Sequence, residues 1–541
     1  MKKRLLSLVL VLTIVVSIFT IMPITTSAAE YTYDYYTYTV SGNQATITKA
    51  NTDLSGAVTI PSSLGGYTVT KIKAWAFNNC SNITSLTFPN TITSIGTNAF
   101  SDCTGLKSLF IPDTITTIEG YAFNKCTRIT SVTIGSGLTT IPEYAFSKCK
   151  NLETVEIGEN VTTIDSCAFE YCTNLTAIDW GENLKKIGNS SFLGCTSLTS
   201  LNIPNTVTEI KHGAFEKCSG ITSLTIGNKV STIGSWAFGD CFKLKSVTIP
   251  DSVTSMEKCA FANCSGITSV IIGSGLTTIP EYAFSKCTDL MSLTIGKNVI
   301  TIDSYAFEQC TNLTTITWGE NLKTIGGWAF YNCKALTSLC IPNTVTKIKG
   351  YAFSNCSGIT ALTLGDEITL IDSSAFSNCI KLNILVIPEK VTTIGKFAFE
   401  ECQNIIAVYL PQDLQKIDAS AFDHCTGIAE VHYTGSESDW KYVSIEDGND
   451  VIKNAKFHFN CDCEPHIPNT NPTQIGDPDG DGQTTASDAL EILKSIVGRI
   501  VLIIGQILAA DVDGNGKVDS ADALLILKKI VGKIDKFPVE E

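Results

Sequence analysis

Sixteen phenylalanines stand 23 residues apart without a slip, from Phe77 through Phe100, Phe123 and Phe146 to Phe422. A cysteine follows each of them three places later, from Cys80 to Cys425. The unit that starts at Ala99 runs Ala99-Phe100-x-x-Cys103-x-x-Leu106-x-x-Leu109-x-Ile111-Pro112-x-x-Ile115-x-x-Ile118, and its apolar positions return in unit after unit. A fixed period of this size cannot build one compact core. Each unit buries its apolar face against its neighbours, which makes a solenoid.

Within a unit the spacing changes. Leu106-x-x-Leu109-x-Ile111 reads as a short strand whose last two named residues face inward. Pro112, which is Gly in other units, turns the chain, and Ile115-x-x-Ile118 gives a second inward pair. Ala99, Phe100 and Cys103 sit at helical spacing and predict one short helical turn. Outward strand positions carry hydroxyls (Ser85, Thr87, Ser131, Thr133, Ser223, Thr225), as expected of a solvated sheet surface. Ser136 to Cys149 returns unchanged at Ser274 to Cys287, and Trp180 to Leu184 at Trp318 to Leu322, so a block of six units has been duplicated. Segments copied whole read as scaffold.

An oligomer of units also escapes the size limit of a single core, which the 541 residues would exceed. The formal charge of −14, from 39 Lys and Arg against 53 Asp and Glu, excludes a nucleic-acid backbone or an anionic membrane surface as the main partner. At the N-terminus Lys2-Lys3-Arg4 precedes an apolar run from Leu5 to Met22, then Ser27-Ala28-Ala29 offers small residues for a signal peptidase. Cleavage after Ala29 is the preferred reading, with an uncleaved anchor as the competing one; no stable membrane span remains after cleavage. Export would favour disulfides among the 21 cysteines. Sixteen of them, however, occupy one repeat position with their side chains pointing the same way. Rungs about 4.8 Å apart bring the backbones within bridging range, but parallel side chains do not close a disulfide. A ladder of reduced, buried thiols is expected instead.

These units resemble the BspA-like (treponemal) leucine-rich repeats, which read Ala-Phe-x-x-Cys-x-x-Leu-x-x-Leu-x-Ile-Pro. The resemblance covers 69–433 and departs from the ordinary leucine-rich pattern, with Thr114, Gly137, Asn160, Lys229 or Glu367 where Asn or Cys is usual. It implies a curved, β-rich leucine-rich repeat solenoid of 16 repeats with short helical turns, and a secreted or cell-surface binding protein, in some cases an adhesin. Residues 30–68 read as an N-terminal β cap built on a hairpin about Ser41-Gly-Asn-Gln44, residues 434–460 as a C-terminal cap around Trp440, and 461–475 as a linker. Cys461, Cys463 and His466 are too few and too loosely held to argue for a metal.

The segment 476–541 carries the strongest local chemistry. Asp477-x-Asp479-x-Asp481-Gly482 through Asp488 has the spacing of a twelve-residue calcium loop, and Asp511-x-Asp513-x-Asn515-Gly516 through Asp522 repeats it. Gln483 and Lys517 would add backbone carbonyls, making two Ca2+ sites of hard oxygen ligands. Each loop leads into a helix, from Ala489 to Gly498 and from Ala523 to Gly532, but Pro468 to Gly476 leaves no entering helix and position 12 is Asp, so these are not EF-hands. The segment resembles a type I dockerin, a small all-α calcium-binding module. The resemblance implies calcium-dependent docking to a cohesin module of a scaffoldin, hence a cellulosome or similar polysaccharide-degrading assembly. It places partner contacts at Ala486, Ser487, Lys494, Ser520, Ala521 and Lys528, in either of two orientations. Thr484, where an apolar residue is usual, and the apolar connector Arg499 to Ala510 depart from the pattern.

The expectation is therefore an extracellular, non-catalytic binding protein. The alternatives are a dockerin-borne polysaccharide hydrolase and a cell-surface adhesin. The five histidines His212, His424, His432, His458 and His466 form no nucleophile or zinc motif, and a pair such as Glu156 with Asp179 reads as surface charge. Two residues before the ladder Phe, Tyr282, Tyr305, Trp328 and Tyr351 give four consecutive rungs an aromatic. They offer a platform for a glycan or protein ligand, or they pack sideways on one another and finish the core.

Overall fold

The computed structural model describes residues 29–461, 489–490 and 520–530. The expected signal segment up to Ala28, the expected linker after Cys461 and most of 476–541 lie outside the described residues.

Repeating Thr, Val and Ile at alternating positions favour strands. Two columns of them run along the solenoid. The longer strands, Ile83–Thr87, Ser108–Ile111, Ser131–Ile134, Thr154–Glu156 and their successors to Lys456–Phe459, pair in parallel with neighbouring rungs in five successive sheets. Val132 stands opposite Leu109 on one side and Val155 on the other. Two-residue strands from Ser94–Ile95 to Ser444–Ile445 make the second column, with Ile141 opposite Ile164 and Ile187 opposite Ile210. A slip by one residue would turn each apolar set outward, so the constant period fixes the register.

The Ala-Phe-x-x-Cys side forms linked turns where the sequence predicts a helical turn. Ala99, Ser101 and Cys103 each donate an N–H three residues back, while Asn98, Phe100 and Asp102 donate to Gly120, Ala122 and Asn124 of the next rung. A helix would keep all its N–H groups for itself. Here every second one ties two rungs together. The arrangement requires left-handed backbone on both sides of the Phe, at Asn98 (φ 55°) and Asp102 (φ 60°), and the same two positions are left-handed in every rung.

Inside, the phenylalanines stack as one column. Neighbouring ring centroids from Phe77 to Phe422 lie 4.7 to 5.5 Å apart, with planes within 21° of parallel. All are buried. Each contributes about 1.5–3 kcal/mol by leaving water, and each pair about 0.5–1.5 kcal/mol more. The ladder cysteines are buried free thiols. Beyond the first, each donates its S–H to the Phe carbonyl of the preceding rung, as Cys126 Sγ does to Phe100 O at 3.2 Å and Cys425 Sγ to Phe399 O at 3.0 Å.

Both ends are closed. Tyr36–Ser41 pairs antiparallel with Gln44–Ala50, which lies in parallel against Tyr67–Ile72 of the first rung. At the other end a short helix, Glu437–Trp440, starts in a capping box at Ser436 and Asp439 and packs Trp440 on Tyr433 and Phe457, with centroids 5.0 and 4.8 Å away. The strand Lys456–Phe459 completes the longer column.

Candidate functional site

The position two before the ladder Phe is left-handed in every rung and, apart from the buried Gly213, Cys259 and Ser374, is half-buried or exposed, so its side chains form a stripe along the turns. Since Asn, Ser, Cys and Gly share this backbone with Trp and Tyr, the strain belongs to the scaffold, and the side chain is left to vary. Tyr282, Tyr305, Trp328 and Tyr351 stack there in one column, with centroids 4.6, 5.1 and 4.5 Å apart and planes within 10° of parallel. Their inner faces cover one another, and the column turns ring edges to solvent. A ligand laid along it meets edges, not faces.

The same stripe is interrupted near the N-terminal end. Tyr121 stacks on Tyr144 at 4.4 Å, but the preceding rung carries Asn98 and the one before it Trp75, which is 58% exposed. A ring is thus missing between two aromatics. The Phe77–Phe100 and Phe100–Phe123 steps at the same rungs, 4.7 and 5.2 Å, show that the gap spans two ring spacings. An open cavity of about 420 Å3 occupies it, bounded by Trp75 and Tyr121 and floored by polar groups, among them Asn78, Ser101, Asp102 and Asn124. Asn78 Nδ2 donates to Ser101 O at 3.1 Å and Ser101 Oγ to Asp102 Oδ2 at 3.1 Å, while Asn124 Oδ1 is buried with no partner among the described residues. Sequence reasoning noticed the aromatics but missed this place, because it looked for consecutive rings. The signal was the single Asn in the row.

Two of the five histidines, which form no motif in the sequence, meet in the structure. His432 and His458 stack at 4.6 Å beside Glu430, across the last two longer strands. They are 26 residues apart, one rung plus a cap insertion, so the 23-residue period hides the juxtaposition. Glu156 and Asp179 are neighbours in register and both exposed.

The calcium-loop residues Asp477, Asp479, Asp481, Gln483, Asp488, Asp511, Asp513, Asn515 and Lys517 lie outside the described residues, as do Ala486, Ser487 and Lys494. Asp522, Ser520, Ala521 and Lys528 fall on the helix Ser520–Ile530, where Lys528 is half-buried. Ala523 and Ile526 are buried on one face of that helix while Leu524 is 51% exposed; the corresponding Leu490 of the first copy is also 51% exposed, beside a buried Ala489. The two copies therefore expose the same leucine. No helix among the described residues is long and apolar enough to cross a membrane.

The comparisons agree with this division. The model of the BspA type leucine rich repeat region matches in overlapping stretches, 56–176, 116–245, 162–290, 208–337 and 324–452, which together cover most of the chain. The dockerin type I domain matches 475–531. Among solved structures, a leucine rich cell surface protein from Faecalibacterium prausnitzii A2-165 is 25% identical over 78% of this chain and 98% of its own, with a TM-score of 0.34. A leucine-rich repeat protein from Bacteroides ovatus ATCC 8483 is 22% identical over 79% of this chain and 99% of its own, with a TM-score of 0.47. A T. pallidum leucine rich repeat protein is 25% identical over 40% of this chain and 91% of its own, with a TM-score of 0.31. No curated protein matches.

Proposed function

This chain belongs to the BspA-type leucine-rich repeat family and carries a type I dockerin domain, and on that premise we propose that it is a secreted, non-catalytic binding protein held on a scaffoldin. The solenoid presents a surface to a ligand. The dockerin anchors the chain by calcium-dependent binding to a cohesin, in a cellulosome-type, polysaccharide-degrading setting. The observation that carries this reading is the joining, in one chain, of a repeat solenoid over 56–452 to a dockerin at 475–531. Asp477, Asp479, Asp481 and Asp488 would hold one Ca2+ and Asp511, Asp513, Asn515 and Asp522 the other, with the carbonyls of Gln483 and Lys517. The donor set is all oxygen and strongly acidic, which suits a hard cation. Bound calcium neutralises carboxylates that otherwise repel and so orders the module. Partner contacts fall to Ala486, Ser487, Lys494, Ser520, Ala521 and Lys528, and the matching exposure of Leu490 and Leu524 supports docking in two orientations.

On the solenoid, the cleft between Trp75 and Tyr121 is the place best suited to a ring-shaped polar ligand such as a pyranose. An aromatic face takes the C–H side of a sugar ring, and amides and carboxylates take its hydroxyls. The column from Tyr282 to Tyr351 is a further possible contact, by its edges. The test is incubation of the purified chain with cohesin-bearing beads and soluble and insoluble plant polysaccharides in CaCl2. Retention on the beads without release of reducing ends is expected. Release of sugar would make the chain an enzyme and overturn the reading.

A further inference from the structure

The outward positions of the longer strands carry mainly hydroxyls and other side chains that bind no metal over most of the solenoid, and change character at its C-terminal end. Glu430 and His432 project from one face of Glu430–Tyr433, since residues two apart in a strand share a face. Lys456 and His458 project from the same face of Lys456–Phe459, in register opposite them. Tyr409, His432 and His458 then stack as one column, at 4.4 and 4.6 Å.

Glu430 reaches both imidazoles. Its Oε2 lies 3.5 Å from His432 Nε2 and its Oε1 lies 3.7 Å from His458 Nε2. Both distances are too long for good hydrogen bonds. They are close to the separation of about 3.3 Å between two ligand atoms of a tetrahedral cation with bonds of about 2.0–2.1 Å. The rings, stacked within 6° of parallel, must however turn toward each other for both Nε2 lone pairs to meet one ion. His458 Nε2 is buried with no hydrogen-bond partner among the described residues, and one ligand atom from each of the three residues lies within 4.8 Å of the others. On the far side of the His432 ring, Nδ1 lies 3.5 Å from Cys461 Sγ. With the proton on Nδ1 and directed at the sulfur, Nε2 keeps its lone pair for a metal. Lys456 Nζ, 3.4 Å from Glu430 Oε1, is an exposed partner that a cation would displace.

We propose that Glu430, His432 and His458 form a binding site for a divalent transition cation of the zinc class. Its ligands come from two strands that are separated in sequence by the helical part of the cap, so the ion clamps the last strand onto the solenoid. Two nitrogens and one oxygen select against calcium, and the fourth position is left to water.

The experiment is titration of Co2+ into chelator-treated full-length chain held in excess Ca2+, followed by displacement with Zn2+. Wild type is expected to take up a single Co2+ with the visible absorption of a tetrahedral site and without a thiolate charge-transfer band. Glu430→Gln and His458→Gln are each expected to weaken uptake at least 10-fold, and Zn2+ is expected to raise the melting temperature of wild type but not of the variants. The melting curve in calcium alone shows that each variant folds. No Co2+ uptake by wild type, equal uptake by the variants, or a thiolate band that assigns the ion to cysteines would overturn the proposal.

Discussion

The side-chain amide of Asn449 accepts the N–H of Phe422 at 3.0 Å, where every earlier ladder Phe donates to a main-chain carbonyl of the next rung. Phe399, for example, donates to Ala421 O at 2.8 Å. The last rung has no successor, so a buried asparagine replaces the missing carbonyl, and its Nδ2 also donates to Asp418 O at 2.9 Å and Glu446 O at 3.0 Å. Together with Glu446 Oε2, which accepts the Ala419 N–H, and Asp447 O, which accepts the Ser420 N–H, it closes the turn side of the solenoid.

Asn449→Ala leaves the Phe422 N–H and the Glu446 carbonyl without their partner in a buried place, while Asp418 O keeps the Ala421 N–H. It should cost about 1–3 kcal/mol for each group that finds no water. Hydrogen exchange should speed up around residues 418–433 and remain slow near the N-terminal rungs, because solenoid rungs are coupled mainly to their neighbours.

Ser191 replaces the alanine found before the ladder Phe in every other rung, and its hydroxyl is buried with no partner among the described residues. Ser191→Ala should therefore stabilise the chain by about 1 kcal/mol. Denaturant unfolding checks the sign; an unchanged or lower midpoint would show that the hydroxyl is satisfied.

The thiol ladder predicts a pH dependence. Burial pushes the Cys149 and Cys218 thiols from the ordinary 9.0 up to about 12, with main-chain hydrogen bonding from Cys126 and from Cys195 of the preceding rungs opposing the shift. Since the folded state holds these protons more tightly than the unfolded chain, the stabilisation is complete below about pH 9 and is lost as pH rises toward 12. Melting temperature should fall over that window. In native protein at pH 8, iodoacetamide should reach the half-exposed Cys167 before any ladder cysteine, and all sixteen only after denaturation.

Most of the fold was legible because periodicity carries it. A strict 23-residue spacing names the inward residues, the register and the thiol ladder together. The turns differ from the helical expectation because Ala99, Phe100 and Cys103 have helical spacing, while the left-handed backbone is marked only by the recurrent Asn, Asp or Gly at the position of Asp102, as at Asn79, Gly194, Asp240 and Asn263. The places of chemical interest were hidden for the opposite reason. The cleft at Asn98 and the cluster at His432 and His458 are departures from the repeat, and a departure gains meaning only when neighbouring rungs are stacked.

If the cleft binds a sugar, its walls should matter and the distant column should not. Trp75→Ala and Tyr121→Ala should each weaken binding of a soluble oligosaccharide by about 10-fold or more, consistent with loss of a stacked ring face. Tyr305→Ala should change it little. Glycan-array screening followed by calorimetry on the positive ligand provides the comparison.

The central claim is that a calcium-ordered module, not the solenoid, fastens this chain to its partner. Calorimetric titration of the full chain with a type I cohesin, in CaCl2 and again in excess chelator, tests it most directly. Tight binding in calcium is expected, abolished by chelator and by Asp477→Ala combined with Asp511→Ala, and unaffected by Trp75→Ala. Binding that persists without calcium, or its absence against cohesins of the same organism in calcium, would contradict the account.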